Sequence, residues 1–403
     1  MVRSLSPFPL VLALGLSVVV ALSPRIRSQE LLATESAADV GGQRIAATVA
    51  KVRVEHLTHV EPVVREGIAK GGMPGCVIAA GRSSGVFYLR AFGNRQVMPE
   101  PMAMEEDTVF DMASITKPVA TATSIMVLWE QGRLRLRDKV SKHLPEFGKH
   151  GKEKVTIEQL LVHQGGLIPD NALADYADGK APAFERIFGL KPYVEPGEKF
   201  VYSDVGFIVL AAIVEQLTGE DVAAFAKRTV FQPLRMDETS FLPTVEVRNR
   251  CAATEQREGR WMQGEVHDPR AYRMGGVAGH AGLFSTAADL SRYARMMLGG
   301  GELDGVRVLS PRTVQLMTRA YPVSSGTRGL GWDKQTGYSS NRGENLSESA
   351  FGHGGFTGTV LWIDPQLDLF YIFLSNRVHP DGKGSVNSLA GRIGTIFAAS
   401  LED

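Results

Sequence analysis

Ser114, Ile115, Thr116 and Lys117 place a hydroxyl and an amine three residues apart, where an apolar stretch from Ala120 to Leu128 begins. Positions i and i+3 share a helix face, so a helix here brings the Lys117 amine to the Ser114 hydroxyl. A serine hydroxyl is a weak nucleophile until a neighbouring base takes its proton. The free N–H groups and positive dipole end of a helix N-terminus favour the oxyanion formed after attack on a carbonyl. Ser-x-x-Lys also recurs by chance, as a helix cap followed by a surface lysine, so its meaning depends on its company.

Two later clusters supply that company. Tyr202, Ser203 and Asp204, with Gly206 beyond them, follow the turn residues Glu195, Pro196 and Gly197. A phenol beside a lysine can relay the serine proton; equally, Tyr202 can end a strand and Asp204 cap the following helix. The second cluster is Phe351-Gly352-His353-Gly354-Gly355-Phe356-Thr357-Gly358. Glycines this dense let backbone approach a ligand closely, and their N–H groups can donate to an oxyanion. Taken alone, the segment also reads as a glycine-rich turn before a strand.

The elements that must position these groups follow from periodicity. Val49, Val52, Leu57, Val60, Val64 and Ile68 have helical spacing over Ile45 to Lys70, and Met73-Pro74-Gly75 breaks it. Two strand-like runs, Cys76 to Ala80 and Val86 to Phe92, flank Gly81-Arg82-Ser83-Ser84-Gly85 and predict a hairpin. From Leu134 to about Met317 the signals are mostly helical. Thr156 is placed to cap one helix, Asp204 to Leu217 forms another with a stop at Thr218-Gly219, and Thr286 to Leu298 a third. Strands return at Thr359 to Ile363 and Leu369 to Leu374, around a turn at 364–368, and residues 384–402 read as a last amphipathic helix. The expected fold is α/β (α+β): an antiparallel sheet built from both chain ends with flanking helices, carrying an inserted, mainly helical subdomain at about 134–317.

In this order the motifs resemble the serine β-lactamase-like superfamily, in the branch of class C β-lactamases, D-alanyl-D-alanine carboxypeptidases and family VIII carboxylesterases. That branch carries Ser-x-x-Lys, Tyr-x-Asn and Lys- or His-x-Gly, here Ser114/Lys117, Tyr202/Asp204 and His353/Gly355. The segments 160–167, 231–239 and 282–290 also resemble loops of that branch, and the similarity spans about residues 45 to 400. The resemblance implies a β-lactamase/transpeptidase-like fold in a single catalytic domain at 44–403. Ser114 would be acylated, Lys117 and Tyr202 would share the general-base work, and the N–H groups of Ser114 and Phe356 would form the oxyanion hole. His353 would hydrogen-bond near Tyr202 and the substrate. Asp204, Gly354, Gly355 and His280 would touch substrate, and His163 would brace a loop. No metal or organic cofactor is expected. The implied activity is serine hydrolysis of esters or D-amino-acid amides and peptides. The alternatives are a penicillin-binding protein with carboxypeptidase or weak β-lactamase activity, or a binding homologue without turnover.

Two departures bear on the substrate. Asn both donates and accepts hydrogen bonds, whereas an ionised Asp204 only accepts. It would pair with Lys117, keep that lysine charged, and move the burden of base to Tyr202. His353 in place of Lys weakens the fixed positive charge for a β-lactam or peptide carboxylate. Both changes argue against an efficient β-lactamase.

The 403 residues carry 44 basic and 44 acidic side chains, a balance that gives no strong field for nucleic acid or an anionic membrane. The N-terminus reads as an export signal at 1–28, with Arg3 ahead of an apolar run from Phe8 to Leu22 that is short against the ~20 residues of a span. A loose leader at 29–43 follows. The expected location is periplasmic or secreted, with an uncleaved N-terminal anchor as the rival. Cys76, within an apolar run, reads as a small buried hydrophobe, and nothing pairs it with Cys251. Gly81-Arg82-Ser83-Ser84-Gly85 matches the nucleophile elbow Gly-x-Ser-x-Gly, but a strand follows where that motif needs a helix. His56 and His59 read as a solvated helix face.

Overall fold

Gly75–Arg82 (β1) and Gly85–Gln96 (β2) form the expected hairpin, with Ser83 at its turn hydrogen-bonded to Asp368. The computed structural model describes residues 51–402. The export signal and leader therefore lie outside the described residues, as does the start of the helix read from Ile45. Within the described residues that helix is broken into Val54–Leu57 and Val60–Ala69 (α1). Pro62 sits in the first turn of α1, where its missing N–H costs nothing; a continuous helix would need that donor.

After β2 come Met102–Ala103 (β3), the nucleophile segment and the helical part, which contains Ile157–Leu161, Asp204–Thr218 (α2) and Ala287–Leu298 (α3). Thr156 caps the first of these in a reciprocal capping box with Gln159. Three short strands follow that periodicity does not reveal: Tyr321–Val323 (β4), Gly326–Arg328 (β5) and Asp333–Gln335 (β6). Phe351–Gly355 (β7), Thr359–Asp364 (β8), Leu369–Ser375 (β9) and the helix Asn387–Ala399 (α4) complete the chain.

The sheet has nine strands in the order β4-β5-β6-β7-β8-β9-β1-β2-β3, and the pairings are antiparallel. The two chain ends meet where β1 pairs β9, Cys76 opposite Ser375 and Gly81 opposite Phe370. Both faces of β1 are covered, so its residues are continuously apolar rather than alternating. Val77 and Ala79 belong to the large core shared with α3 and the helical part. Cys76, Ile78 and Ala80 pack with Val60, Val64, Ile393 and Phe397 on the other face. Cys76 and Cys251 are both buried and free. Among the described residues no helix is long and apolar enough to cross a membrane.

Candidate active site

The nucleophile segment is held before it turns. The buried Asp111 carboxylate accepts the Ala113 N–H through Oδ1 at 2.8 Å and the His267 N–H through Oδ2 at 2.7 Å. Ala113 has φ +43°, a left-handed conformation that L residues adopt at a cost, and it comes directly before Ser114. The chain then winds as a 3₁₀ turn over Ala113–Ile115, a wide π segment over Lys117–Ala122 and an α-helix over Thr123–Glu130. Tight and wide turns stand where a regular α-helix was expected, a local irregularity that recurs at functional sites.

Lys117 Nζ nevertheless donates to Ser114 Oγ at 2.8 Å. It also donates to the His280 carbonyl at 3.1 Å and lies 2.6 Å from Asp204 Oδ1. The lysine is fully buried. Burial opposes its charge, but the Asp204 carboxylate and the Tyr202 phenol outweigh it and hold the ammonium above the usual lysine range. Ser203, rather than Asp204, caps α2, accepting the Gly206 N–H. Asp204 is thereby the first residue of α2, with its carboxylate turned to Lys117.

Tyr202 stacks on His163, centroids 4.4 Å apart. His163 Nδ1 accepts the Ser203 N–H at 3.0 Å, so His163 braces the segment that carries the tyrosine. Tyr202 also meets Tyr338 at 4.9 Å and His353 at 6.0 Å. His353 Nδ1 donates to the Gly354 carbonyl at 2.8 Å, which leaves Nε2 as a lone-pair acceptor. Burial, then the charges of Arg328 and Lys117, depress this imidazole well below the ordinary histidine range, so it is neutral.

The turn between β7 and β8 is laced to the nucleophile turn. Thr357 Oγ1 donates to the Asp111 carbonyl at 2.7 Å and Thr359 Oγ1 to the Met112 carbonyl at 3.1 Å. At Gly355 a Cβ would lie 2.2 Å from Thr359 Oγ1 and 2.5 Å from the Met112 carbonyl oxygen, so only glycine lets the strand come this close. Ser114, Tyr202, His353, Gly354, Gly355 and Phe356 all border one cleft of about 440 Å³. His280 is placed differently: its imidazole is buried, with Nε2 3.0 Å from Asp268 Oδ1, it does not line that cleft, and its carbonyl supports Lys117. Ligand atoms of Asp204, Asp268 and His280 lie within 4.8 Å of one another, but the Lys117 ammonium already sits against Asp204.

Sequence reasoning passed over Asp111, Arg328, Asp333 and Arg377, the last three of which also line the cleft. Arg328 had one signal, a charge set among glycines and apolar residues at 329–332. Ser83 is exposed on a hairpin turn away from this cleft. His56 and His59 pack edge-to-face on each other, centroids 6.1 Å apart.

Residues 60–393 match the family model described as Beta-lactamase. The chain is 32% identical over 372 residues to a Bacillus subtilis (strain 168) protein named N-acetylmuramyl-L-alanine amidase, an alignment covering 83% of this chain and 84% of that one. It is 31% identical over 363 residues to an Escherichia coli (strain K12) protein with the provisional name D-alanyl-D-alanine carboxypeptidase, covering 81% and 83%. A solved family VIII carboxylesterase, 20% identical, superposes with a TM-score of 0.68 over 86% of this chain and 98% of its own, a likeness of fold.

Proposed function

Because the chain belongs to the Beta-lactamase family, we propose that it is an exported serine hydrolase that forms an acyl-enzyme at Ser114 on amides of D-amino-acid peptides or on esters. The observation that carries this reading is the 2.8 Å contact between Lys117 Nζ and Ser114 Oγ on a cleft also bordered by Tyr202 and His353. Ser114 Oγ attacks the substrate carbonyl carbon and hands its proton to the Tyr202 oxygen as the Tyr202 hydroxyl hands its own proton on towards the leaving atom. Lys117, already an ammonium, assists as a donor. The tetrahedral oxyanion is met by the N–H groups of Ser114 and Phe356. Collapse breaks the C–N or C–O bond and the leaving group takes the proton. Water then repeats the sequence on the acyl-serine and frees the acid.

One relative is named an amidase and the other a carboxypeptidase of D-alanyl-D-alanine, which favours the amide reading over the ester one. The Lys117–Asp204 pair disfavours efficient β-lactam turnover, since the position offers no amide donor. A fluorophosphonate probe followed by peptide mass spectrometry tests the assignment. The label is expected on the peptide with Ser114 and absent from Ser114→Ala, which also loses turnover while keeping its circular dichroism. Label on Ser83, or ordinary hydrolysis by Ser114→Ala, would refute it.

A further inference from the structure

The two N–H donors read as the oxyanion hole, those of Ser114 and Phe356, are far apart in the chain, and one residue outside the cleft touches the supports of both. The His267 main-chain N–H donates to Asp111 Oδ2 at 2.7 Å, and Asp111 Oδ1 accepts the N–H of Ala113 at 2.8 Å, directly before Ser114. The His267 ring stacks on the Phe356 ring, centroids 5.6 Å apart and planes inclined by 25°. His267 does not line the cleft, so it reaches the reaction through these neighbours.

Phe356 needs such support. Its ring is 61% exposed, and exposed side chains change rotamer freely unless neighbours fix them. Thr357 and Thr359 tie the following residues down to Asp111 and Met112, but neither bond grips Phe356 itself. Its ring is met by His267 and by Arg377, whose guanidinium carbon lies 4.4 Å from the ring centroid. Arg377 is anchored in turn, Nη1 donating to the Gly384 carbonyl at 2.8 Å. His267 is anchored by Glu255, with Nε2 2.6 Å from Oε2. An ionised carboxylate only accepts, so Nε2 carries a proton and donates it in a charge-assisted bond. That bond fixes the plane of the imidazole against Phe356.

We propose that His267 is a positioning residue for the oxyanion hole, aligning the Ser114 half through Asp111 and the Phe356 half through its ring, with Glu255 orienting that ring. This role presupposes the serine-hydrolase reading. Misplacing a catalytic group by about 1 Å can cost about 10²-fold in rate. Oxyanion donors act on the tetrahedral state more than on bound substrate, so the loss falls on kcat and spares KM.

The test is hydrolysis of p-nitrophenyl butyrate, paired with binding of phenylboronic acid. The boron forms a bond to Ser114 Oγ, with loss of the serine proton, and sets a boronate oxygen where the oxyanion would form. His267→Ala, His267→Phe and Glu255→Ala all keep the main-chain N–H of residue 267, so they read the ring alone. His267→Ala is expected to lower kcat about 10- to 100-fold with KM within about twofold, and to weaken the boronate by a similar factor. His267→Phe, which keeps an aromatic face on Phe356, should recover most of the loss, and Glu255→Ala should show a smaller loss of the same kind. Unchanged kcat in His267→Ala, or a loss confined to KM, overturns the proposal. So does boronate affinity that holds while kcat falls, or a His267→Phe no better than His267→Ala. If His267→Ala does not fold, Glu255→Ala decides, because unchanged kcat there removes the oriented ring from the account. Failure of Ser114 labelling in the wild type would instead refute the hydrolase reading.

Discussion

The Lys117 ammonium and the Asp204 carboxylate meet at 2.6 Å, within the same cluster of contacts that holds the Ser114 hydroxyl. A lysine in that pair is a poor proton acceptor, because accepting requires it first to lose the charge that Asp204 stabilises.

Asp204→Asn removes that support. Burial, the largest influence on Lys117, would then act with less opposition and lower its pKa, so the neutral amine is populated at lower pH. The variant is expected to acylate faster with nitrocefin than the wild type. Tyr202→Phe, which deletes the proton carrier, should cost ~10²–10⁴-fold in ester turnover and exceed the cost of Asp204→Asn. Stopped-flow acylation of the three proteins checks both orders; slower nitrocefin acylation by Asp204→Asn would contradict this account.

His353 should stay neutral across the working range. Its pKa is depressed by burial and by Arg328 and Lys117, so protonation begins only well below pH 6.5. In an NMR pH titration, the imidazole resonance that vanishes in His353→Gln is expected not to move between pH 8 and 6. A midpoint within that interval would show that the ring is charged during function.

Gly355→Ala should damage catalysis more than stability. The added methyl would press on the Met112 carbonyl and Thr359 Oγ1 and push β7 away from the nucleophile turn, displacing the Phe356 N–H. Loss of one oxyanion donor costs ~10²–10³-fold in kcat. A loss of that size with KM little changed and a folded circular dichroism spectrum is the expected result; unchanged kcat would mean Phe356 does not serve the oxyanion.

Asp289 offers a stability test away from the cleft. Burial raises its pKa to about 6, against hydrogen bonds from Thr239 and the Glu238 N–H that lower it. A carboxyl with a raised folded pKa holds its proton more tightly when folded. The stability from that proton is complete below the unfolded value and fades as pH rises through about 6. Asp289→Asn keeps an acceptor oxygen and avoids the buried charge, so thermal melts should show a gain at pH 8 that shrinks towards pH 5. A gain of equal size at both pH values would rule out this origin.

Motifs with local spacing were legible in the sequence; pairings across the fold were not. Ser114, Lys117 and the 351–358 glycines announce themselves by neighbours in the chain. The hairpin and α2 follow from apolar periodicity and turn residues. The strands β4 to β6 are too short and too mixed in polarity to show a period of two. Arg328 gains its meaning from Asp333 across a strand pair and from a cleft whose other wall comes from residues 377–387. Asp111 looks like any acid beside an apolar run until the His267 N–H arrives from 156 residues away. The turn into Ser114 escaped notice because its strain is carried by an alanine, where a glycine would have signalled it.

The β1–β9 pairing has a consequence for biosynthesis. Ser83 and Asp368, bonded across the hairpin end, are 285 residues apart. A nascent chain must therefore carry β1 and β2 with one edge open until β9 has been synthesised, and a strand edge without a partner invites pairing with other chains. Contacts this distant also slow folding. Any premature stop before Leu369 leaves the apolar edge Cys76–Ala80 permanently uncovered, so truncated products should be aggregation-prone, however much of the helical part they contain.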